Sequence, residues 1–265
     1  VRVYYSFPGV KVHSKLALVR RAEGKTTRLY AYLSTGNFHE DTAKVYGDFG
    51  LFTADPRMTA EVSMVFAYLE NVKPPKEAFQ HLLVGKFNLR SGLEALIDRE
   101  IAAAQAGQPA SMILKMNSLE DRDMIARLYK ASRAGVKIKL IIRGICCLVP
   151  GESGFSENIT VISIVDKFLE HARVFIYGND GKEEIYLSSA DLMSRNFEHR
   201  VEVGFPVLDE DVKQEIRDII EFQLQDNVKA RDITKLNNNK YHKNRLTTKI
   251  RAQVQTYNYL KNKHQ

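Results

Sequence analysis

The stretch "VKVHSKLALV" alternates: Val10, Val12, Ser14, Leu16 and Leu18 fall on one face, and Lys11, His13, Lys15 and Ala17 on the other. A period of two predicts a strand. "RLYAYLS" and "GDFGLFTA" predict two more. "RMTAEVSMVFAYLE" follows with helical spacing, Asp55 standing as its N-cap and Pro56 at its first position. The turn-rich "NVKPPKEAF" places a boundary that divides the chain into 1–80 and 81–265. Beyond it, "LEALIDREIAAAQAG" predicts a helix that stops at Gly107. "SMILKMN", "LEDRDMIARLYKASRAG" and "VKIKLIIRG" then predict strand, helix and strand, a βαβ unit. After the Gly/Ser loop "VPGESGFSEN", strands are expected near 160–164, 172–177, 184–189 and 200–207. A helix follows Asp209, and a last basic helix lies within 247–261. The fold class is therefore α/β with mixed sheets.

The same passage occurs twice. "YLSTGNFHEDTAKVYGDFGLFTAD" at 32–55 answers "YLSSADLMSRNFEHRVEVGFPVLD" at 186–209. In both, an acid (Asp48, Glu202) opens an apolar strand, and an Asp seven positions on caps a helix. Ser34-Thr35-Gly36-Asn37 answers Ser188-Ser189-Ala190-Asp191. Upstream, "VHSKLALV" answers "EHARVFIY", so His13 and Lys15 match His171 and Arg173. Phe175 and Tyr177 continue the face of His171 and Arg173. The second copy has a βαβ prelude that the first lacks, which predicts a fragment of a longer chain, its first half shortened at the N-terminal side.

Charge changes the picture in one place. From Lys229 to Gln265 there are ten Lys/Arg and one acid, a charge of +9; with +7 overall, the other 228 residues carry −2. Any anion site in the body must come from placed side chains, while the tail reads either as a solvated end or as a polyanion contact. The adjacent Cys146 and Cys147 offer no disulfide framework or metal spacing and read as reduced core residues. The longest apolar run, "LIIRGICCLV", is broken by Arg143, so no membrane span is expected.

The repeated set suits phosphoryl transfer. A neutral imidazole can attack phosphorus while a cation two residues on neutralises non-bridging oxygens. The other ring nitrogen needs an acceptor to fix the tautomer. Asp48 and Glu202 could serve, one per histidine. The turn at 34–37 offers donors to phosphate. Lys11, Lys15, Arg143, Arg173, Arg195 and Arg200 are candidate phosphate ligands. They would replace a phosphate loop, since "LVGKFNLRSG" has one Gly-Lys without the preceding glycine or following hydroxyl. His39 and His81 fall outside the repeated frame and read as surface residues.

His-x-Lys followed by a Gly-x-Asn-type turn, given twice, resembles the phospholipase D superfamily, in which two halves bring two histidines into one cleft. The pattern departs from it: that superfamily has an Asp five positions after the Lys, where Arg20 and Gly178 stand here. A closer resemblance covers nearly the whole chain. "PGVKVHSKLALV", "STGNFHEDTAKVYGDFGLFTAD", "LIIRGICCLVPG", "VISIVDKFLEHARVFIYG" and "YLSSADLMSRNFEHRVEV" are similar, in order, to polyphosphate kinases of the first type. The resemblance implies two phospholipase-D-like C-terminal domains, the first incomplete here. It also implies reversible transfer of the terminal phosphate of ATP to polyphosphate through a phosphohistidine. His13 matches the phosphorylated histidine. His171 matches the second active-site histidine, a nucleotide contact with an acid/base role. Tyr46 and Arg143 match nucleotide contacts. Lys15, Asn37, Asp48, Arg173, Arg195 and Glu202 are added on physical grounds for phosphate binding or histidine orientation. No protein metal ligand is expected: magnesium would arrive with ATP, and the family's magnesium-associated arginines would precede Val1. The implied partners are ATP or ADP and polyphosphate, without nucleic acid, in a homo-oligomer that is cytoplasmic and could associate peripherally with the membrane. The fragment alone is expected to be inactive.

Two other readings stay open. One is a phosphodiesterase or nuclease on the same scaffold, which the missing Asp and the Arg at 173 weigh against. The other is a non-enzymatic module that binds polyanions through residues 229–265.

Overall fold

The structure, a computed structural model, describes residues 2–5, 9–244 and 246–263. Pro8, in the first quoted block, and Arg245, in the basic tail, lie outside them. The first half contains β1 (Lys11–Val12), β2 (Lys15–Glu23), β3 (Thr26–Ser34), α1 (Glu40–Ala43), β4 (Tyr46–Gly47), β5 (Gly50–Thr53) and α2 (Pro56–Asn71). Then come β6 (Leu83–Val84), α3 (Leu89–Gln105), β7 (Ser111–Met116), α4 (Arg122–Ala134), β8 (Lys137–Ile142) and β9 (Ile159–Ile164). The second copy of the repeat comprises β10 (Leu169–Glu170), β11 (Arg173–Tyr177), β12 (Glu184–Ser188), α5 (Ser194–Glu198), β13 (Arg200–Val201), β14 (Val203–Pro206) and α6 (Glu210–Leu224). The chain closes with β15 (Ala230–Asp232) and α7 (Ala252–Lys263).

The fold is mixed α/β, as the periodicities predict. β7 and β8 pair in parallel with α4 between them, which is the expected βαβ unit. Both predicted caps form: Asp55 accepts from the Arg57 amide and Asp209 from the Val212 amide. A cap of this kind contributes about 1 kcal/mol. Three strands of the first half, in the order β2-β3-β5, correspond to β11-β12-β14 of the second. The latter lie within an eight-stranded sheet, β15-β9-β8-β7-β11-β12-β14-β6.

Alternation along β11 sends Phe175 and Tyr177 into one core, with α3 and α4, and Val174 and Ile176 into the other. That second core holds residues of both halves: Ala31 and Leu33 of β3, Met58, Val62 and Val65 of α2, and Ile216 and Ile220 of α6. The halves thus share one packed interior, which fixes their relative position to the precision of a close-packed core.

Four expectations need correction. The predicted strand at 10–18 breaks at His13–Ser14, because both amides turn to the single carbonyl of Val201. The predicted strand at 200–207 likewise breaks at Glu202, whose side chain is wholly buried. Cys146 and Cys147 are free thiols, but only Cys146 is partly buried and Cys147 is exposed. β8 ends at Ile142, and the chain then turns out along the surface, held by bonds between Leu119 and the backbone of Ile145 and Cys147. Finally, the basic tail is folded rather than loose. Arg251 pairs with Asp166 at 2.6 Å and Lys263 with Glu215 at 3.0 Å, and Ala252 is buried. Part of its charge is therefore neutralised within the molecule. No helix among the described residues is long and apolar enough to cross a membrane.

Candidate active site

Two very short parallel ladders join the halves. β1 pairs with β13, placing Lys11 opposite Arg200; β10 pairs with β4, placing Leu169 opposite Tyr46. In each case the strand that leads into a histidine lies beside the strand that leads into the other half's acid. The backbone repeats the pattern closely. The amides of His13 and Ser14 both donate to Val201 O, and those of His171 and Ala172 both donate to Gly47 O.

The result is a crossed pair of imidazole–carboxylate contacts. His13 Nδ1 lies 2.9 Å from Glu202 Oε2, and His171 Nδ1 lies 2.9 Å from both oxygens of Asp48. The sequence predicted one acid per histidine; the structure adds that each acid comes from the opposite half. Each carboxylate is held by the second residue of the small-polar turn: Thr35 Oγ1 donates to Asp48 Oδ1 at 2.6 Å, and Ser189 Oγ donates to Glu202 Oε2 at 2.5 Å. Asn196 adds a third donor to Glu202, at 2.7 Å. The turns themselves close identically, with Gly36 N donating to Ser34 Oγ and Ala190 N to Ser188 Oγ. Gly36 is dictated by packing: a Cβ there would lie 2.6 Å from Asp48 Cγ.

The cations cover the outer ring nitrogens. Lys15 Nζ lies 3.1 Å from His13 Nε2 and donates to His13 O at 2.5 Å. Arg173 Nη1 lies 3.0 Å from His171 Nε2. Burial holds Lys15 well below an ordinary lysine, at about 8; Glu202 opposes the shift, Arg173 adds to it, Asp48 opposes it and Arg200 adds to it. Burial also lowers His171, against the pull of Asp48 and with the help of Arg173. The two crossed contacts, each histidine bonded to an acid of the opposite half, bring the two sets together where the halves meet.

The remaining sequence-predicted residues divide. The Tyr46 ring packs 4.9 Å from the His171 ring. Arg143 donates to Asn117 Oδ1 and to the carbonyl of Glu170, one residue before His171. Arg200 lies 3.7 Å from Glu202. Asn37, Arg195, Lys11 and His39 are exposed; Arg195 sits on α5 without a bond to either histidine set among the described residues. His81 is half-buried beside Glu61 rather than a surface residue.

Sequence reasoning gave Asp191, Asn117, Ser189 and Asn196 no chemical role, and it gave the turn at 34–37 to phosphate, whereas Ser34 and Thr35 are buried with their hydroxyls committed to Phe49 O and Asp48. Asp191 binds Arg173 through two bonds, at 3.2 and 3.1 Å, and is held in turn by the Asn117 amide at 2.8 Å. Arg173 and the backbone amides together hold its carboxyl below the usual range despite burial. The repeat itself was the available signal for Thr35 and Ser189, which stand at matching positions.

The residues present do not form a metal site: among the described residues no group of three or more His, Cys, Asp or Glu could hold an ion. Asp48 and Glu202 are already committed to imidazole and hydroxyl donors.

Comparison with known proteins extends the geometry. The family described as Polyphosphate kinase C-terminal domain 1 matches residues 1–75, and that described as Polyphosphate kinase C-terminal domain 2 matches residues 82–253. The polyphosphate kinase of Vibrio parahaemolyticus is 52% identical over 262 residues, covering 99% of this chain and 38% of the relative. That of Escherichia coli K12 is 46% identical over 265 residues, 100% of this chain and 38% of the relative. The crystal structure of polyphosphate kinase from Porphyromonas gingivalis superposes with a TM-score of 0.93 at 45% identity, over 99% of this chain and 40% of that one. The chain thus spans well under half the length of these relatives.

Proposed function

The chain belongs to the polyphosphate kinase family, and on that premise we propose that it supplies the histidine pair that moves the terminal phosphate of ATP to and from polyphosphate. Residues 1–80 contribute one domain to this site and 81–265 the other. The observation that carries the reading is the crossed arrangement. It leaves His13 with its Nδ1 against a buried carboxylate and its Nε2 beside the Lys15 ammonium.

The carboxylate of Glu202 holds the Nδ1 proton, so the lone pair resides on Nε2. Nε2 attacks the γ-phosphorus. The bond to the bridging oxygen breaks and ADP leaves with the electron pair, giving a phosphohistidine. Lys15 turns its ammonium to the non-bridging oxygens, where charge accumulates. Glu202 balances the positive charge that grows on the ring. A terminal oxygen of polyphosphate then attacks the same phosphorus, the N–P bond breaks, and its electron pair returns to Nε2. The same steps reversed form ATP from ADP. His171, buried, with Tyr46 against its ring and Arg143 braced behind it, lines the nucleotide side of the site. Arg195, Asn37 and Arg200 extend the anion surface. Magnesium enters on the nucleotide phosphates, and no step is assigned to it.

The test uses the full-length enzyme that carries this chain. γ-Labelled ATP should leave a base-stable, acid-labile label, and His13→Ala should abolish it. A label of that kind persisting on the variant overturns the assignment.

A further inference from the structure

The two histidine sets share a frame but differ in one pairing. Arg173 is held at four points: two bonds to Asp191, one to His171 O and one to His171 Nε2. A guanidinium has donors only and does not lose its proton, so the contact occupies the Nε2 lone pair of His171 permanently. Asp191 is itself fixed, accepting from the Asn117 amide at 2.8 Å and the Ser118 amide at 3.3 Å. In the first half the repeat puts Asn37 where Asp191 stands and Lys15 where Arg173 stands. Asn37 is exposed. Among the described residues, Lys15 hydrogen-bonds only to the His13 ring and carbonyl. Its ammonium sits on a rotatable stem and can swing three donors onto a phosphate.

We infer that the Asn37/Asp191 difference decides which of the two equivalent histidines is the nucleophile. Asp191 is a positioning residue: it clamps Arg173 onto the attacking nitrogen of His171 and keeps that ring out of covalent chemistry. Asn37 leaves Lys15 unclamped, so His13 Nε2 is uncovered as phosphate arrives. The inference rests on the reading of His13 as the phosphorylated ring, but ring reactivity can be tested without ATP.

Phosphoramidate phosphorylates imidazoles directly: an N–P bond forms at the ring, the P–N bond of the reagent breaks, and ammonia leaves with the electron pair. The 265-residue chain would be treated with potassium phosphoramidate and the modified sites mapped by mass spectrometry under alkaline conditions. The exposed His39 is the internal standard. His13 should be labelled at least tenfold faster than His171; a smaller ratio in the wild type overturns the inference. Arg173→Lys with Asp191→Asn, which gives the second half the residues of the first, should bring the ratio below three. Asn37→Asp, a surface change that gives the first half the residue matching Asp191, should slow His13 at least threefold relative to His39. Ratios unmoved by both changes overturn the inference and leave burial as the cause. If Asp191→Asn does not fold, Arg173→Lys alone carries the second arm, since it leaves the Asp191 bonds to Asn117 and Ser118 in place. The 15N shifts of the His171 ring provide a readout that mere loosening would not give: Nε2 stays unprotonated in every variant while its reactivity rises. Normal reactivity of His13 toward phosphoramidate with no label from ATP in the full-length enzyme would sink the proposed function and spare this inference.

Discussion

Replacing Glu202 by Gln isolates what the buried carboxylate contributes to His13. The site suits the experiment. Glu202 is fully buried, and its oxygens take His13 Nδ1 at 2.9 Å, Ser189 Oγ at 2.5 Å and Asn196 Nδ2 at 2.7 Å. Glutamine keeps the length and shape. With its amide oxygen toward His13 and Ser189, its NH₂ faces Asn196, whose buried Oδ1 has no hydrogen-bond partner. Turning the Asn196 amide over presents that oxygen to the new donor, so the variant keeps its hydrogen bonds and loses the charge, together with the 3.7 Å ion pair to Arg200. The magnitude is then bounded on both sides. Exchanging a charge-assisted bond for a neutral one loses about 1 kcal/mol. A unit charge developing about 4 Å from the carboxylate at an effective dielectric of about 20 would lose about 4 kcal/mol. At about 1.4 kcal/mol per factor of ten, phosphorylation of His13 slows between roughly fivefold and a thousandfold. The opposite amide orientation would put an N–H against Nδ1, move the ring proton to Nε2 and remove the nucleophile, a loss nearer 10⁴-fold by analogy with triads that lose their tautomer. Phosphoramidate labelling of His13 relative to His39 measures the rate, and 15N shifts of the His13 ring report which orientation holds. A Glu202→Gln rate within threefold of wild type, with the tautomer unchanged, refutes the reasoning.

Four further outcomes follow from the geometry. Lys15 is charged only below about 8 in the folded chain. The rate of His13 relative to His39 should therefore fall tenfold per pH unit above that value, and Lys15→Arg should flatten the limb; a falling limb retained in the arginine variant contradicts the assignment. Stability moves the other way: above about 8 the unfolded chain alone keeps this proton, so Lys15 makes unfolding harder as pH rises toward 10.5, visible as a slope in urea midpoints that Lys15→Met removes. Gly36→Ala drives a Cβ to 2.6 Å from Asp48 Cγ. It should cost about 1–3 kcal/mol and detach Asp48 from His171, seen as a lower Tm together with a changed His171 Nδ1 shift; an unchanged shift would show that Asp48 has room to stay. Asp55→Ala and Asp209→Ala each remove an N-cap bond and should each lose about 1 kcal/mol, recovered by Asn at the same position, with equilibrium denaturation as the measure.

The repeated passage was legible because its spacing is preserved where chemistry needs it. His-x-cation, the small-polar turn, the acid and the capping Asp recur in order, and the structure puts the histidines, the first two hydroxyls of the turn, the acids and the caps to matching use. The crossing was not legible. It depends on β1, β4, β10 and β13, ladders of two residues each, too short to leave any periodicity. Their partners lie in the opposite half: His13 and Glu202 are 189 positions apart. Arg195 attracted notice as a charge in the repeated block, while Asp191, an acid in the same block, proved to be the residue that binds Arg173. A carboxylate that neutralises a buried guanidinium looks like any other acid until the fold shows what it faces. The apolar run around Cys146 and Cys147 misled for a related reason. Gly144 lies so close to the Asn117 carbonyl that a Cβ would meet it at 2.9 Å. That close approach ends the strand and turns the following residues outward, a tertiary constraint with no local signature.

The two halves reach the same Nδ1–oxygen distance, 2.9 Å, by different means. One uses an aspartate over a glycine, the other a glutamate over an alanine. At Gly36 the shorter acid's own carboxylate fills the space that a Cβ would need. These pairs are interdependent: exchanging Asp48 for Glu alone would push a carboxylate past the ring, and exchanging Gly36 alone displaces the acid. The cations and the turn's fourth residue depart from this rule, Lys with Asn in one half and Arg with Asp in the other. There the halves differ in charge and in freedom of movement rather than in reach. On the proposed function, the duplicated frame separates two requirements: both rings are held in one tautomer, and only one is left free to react.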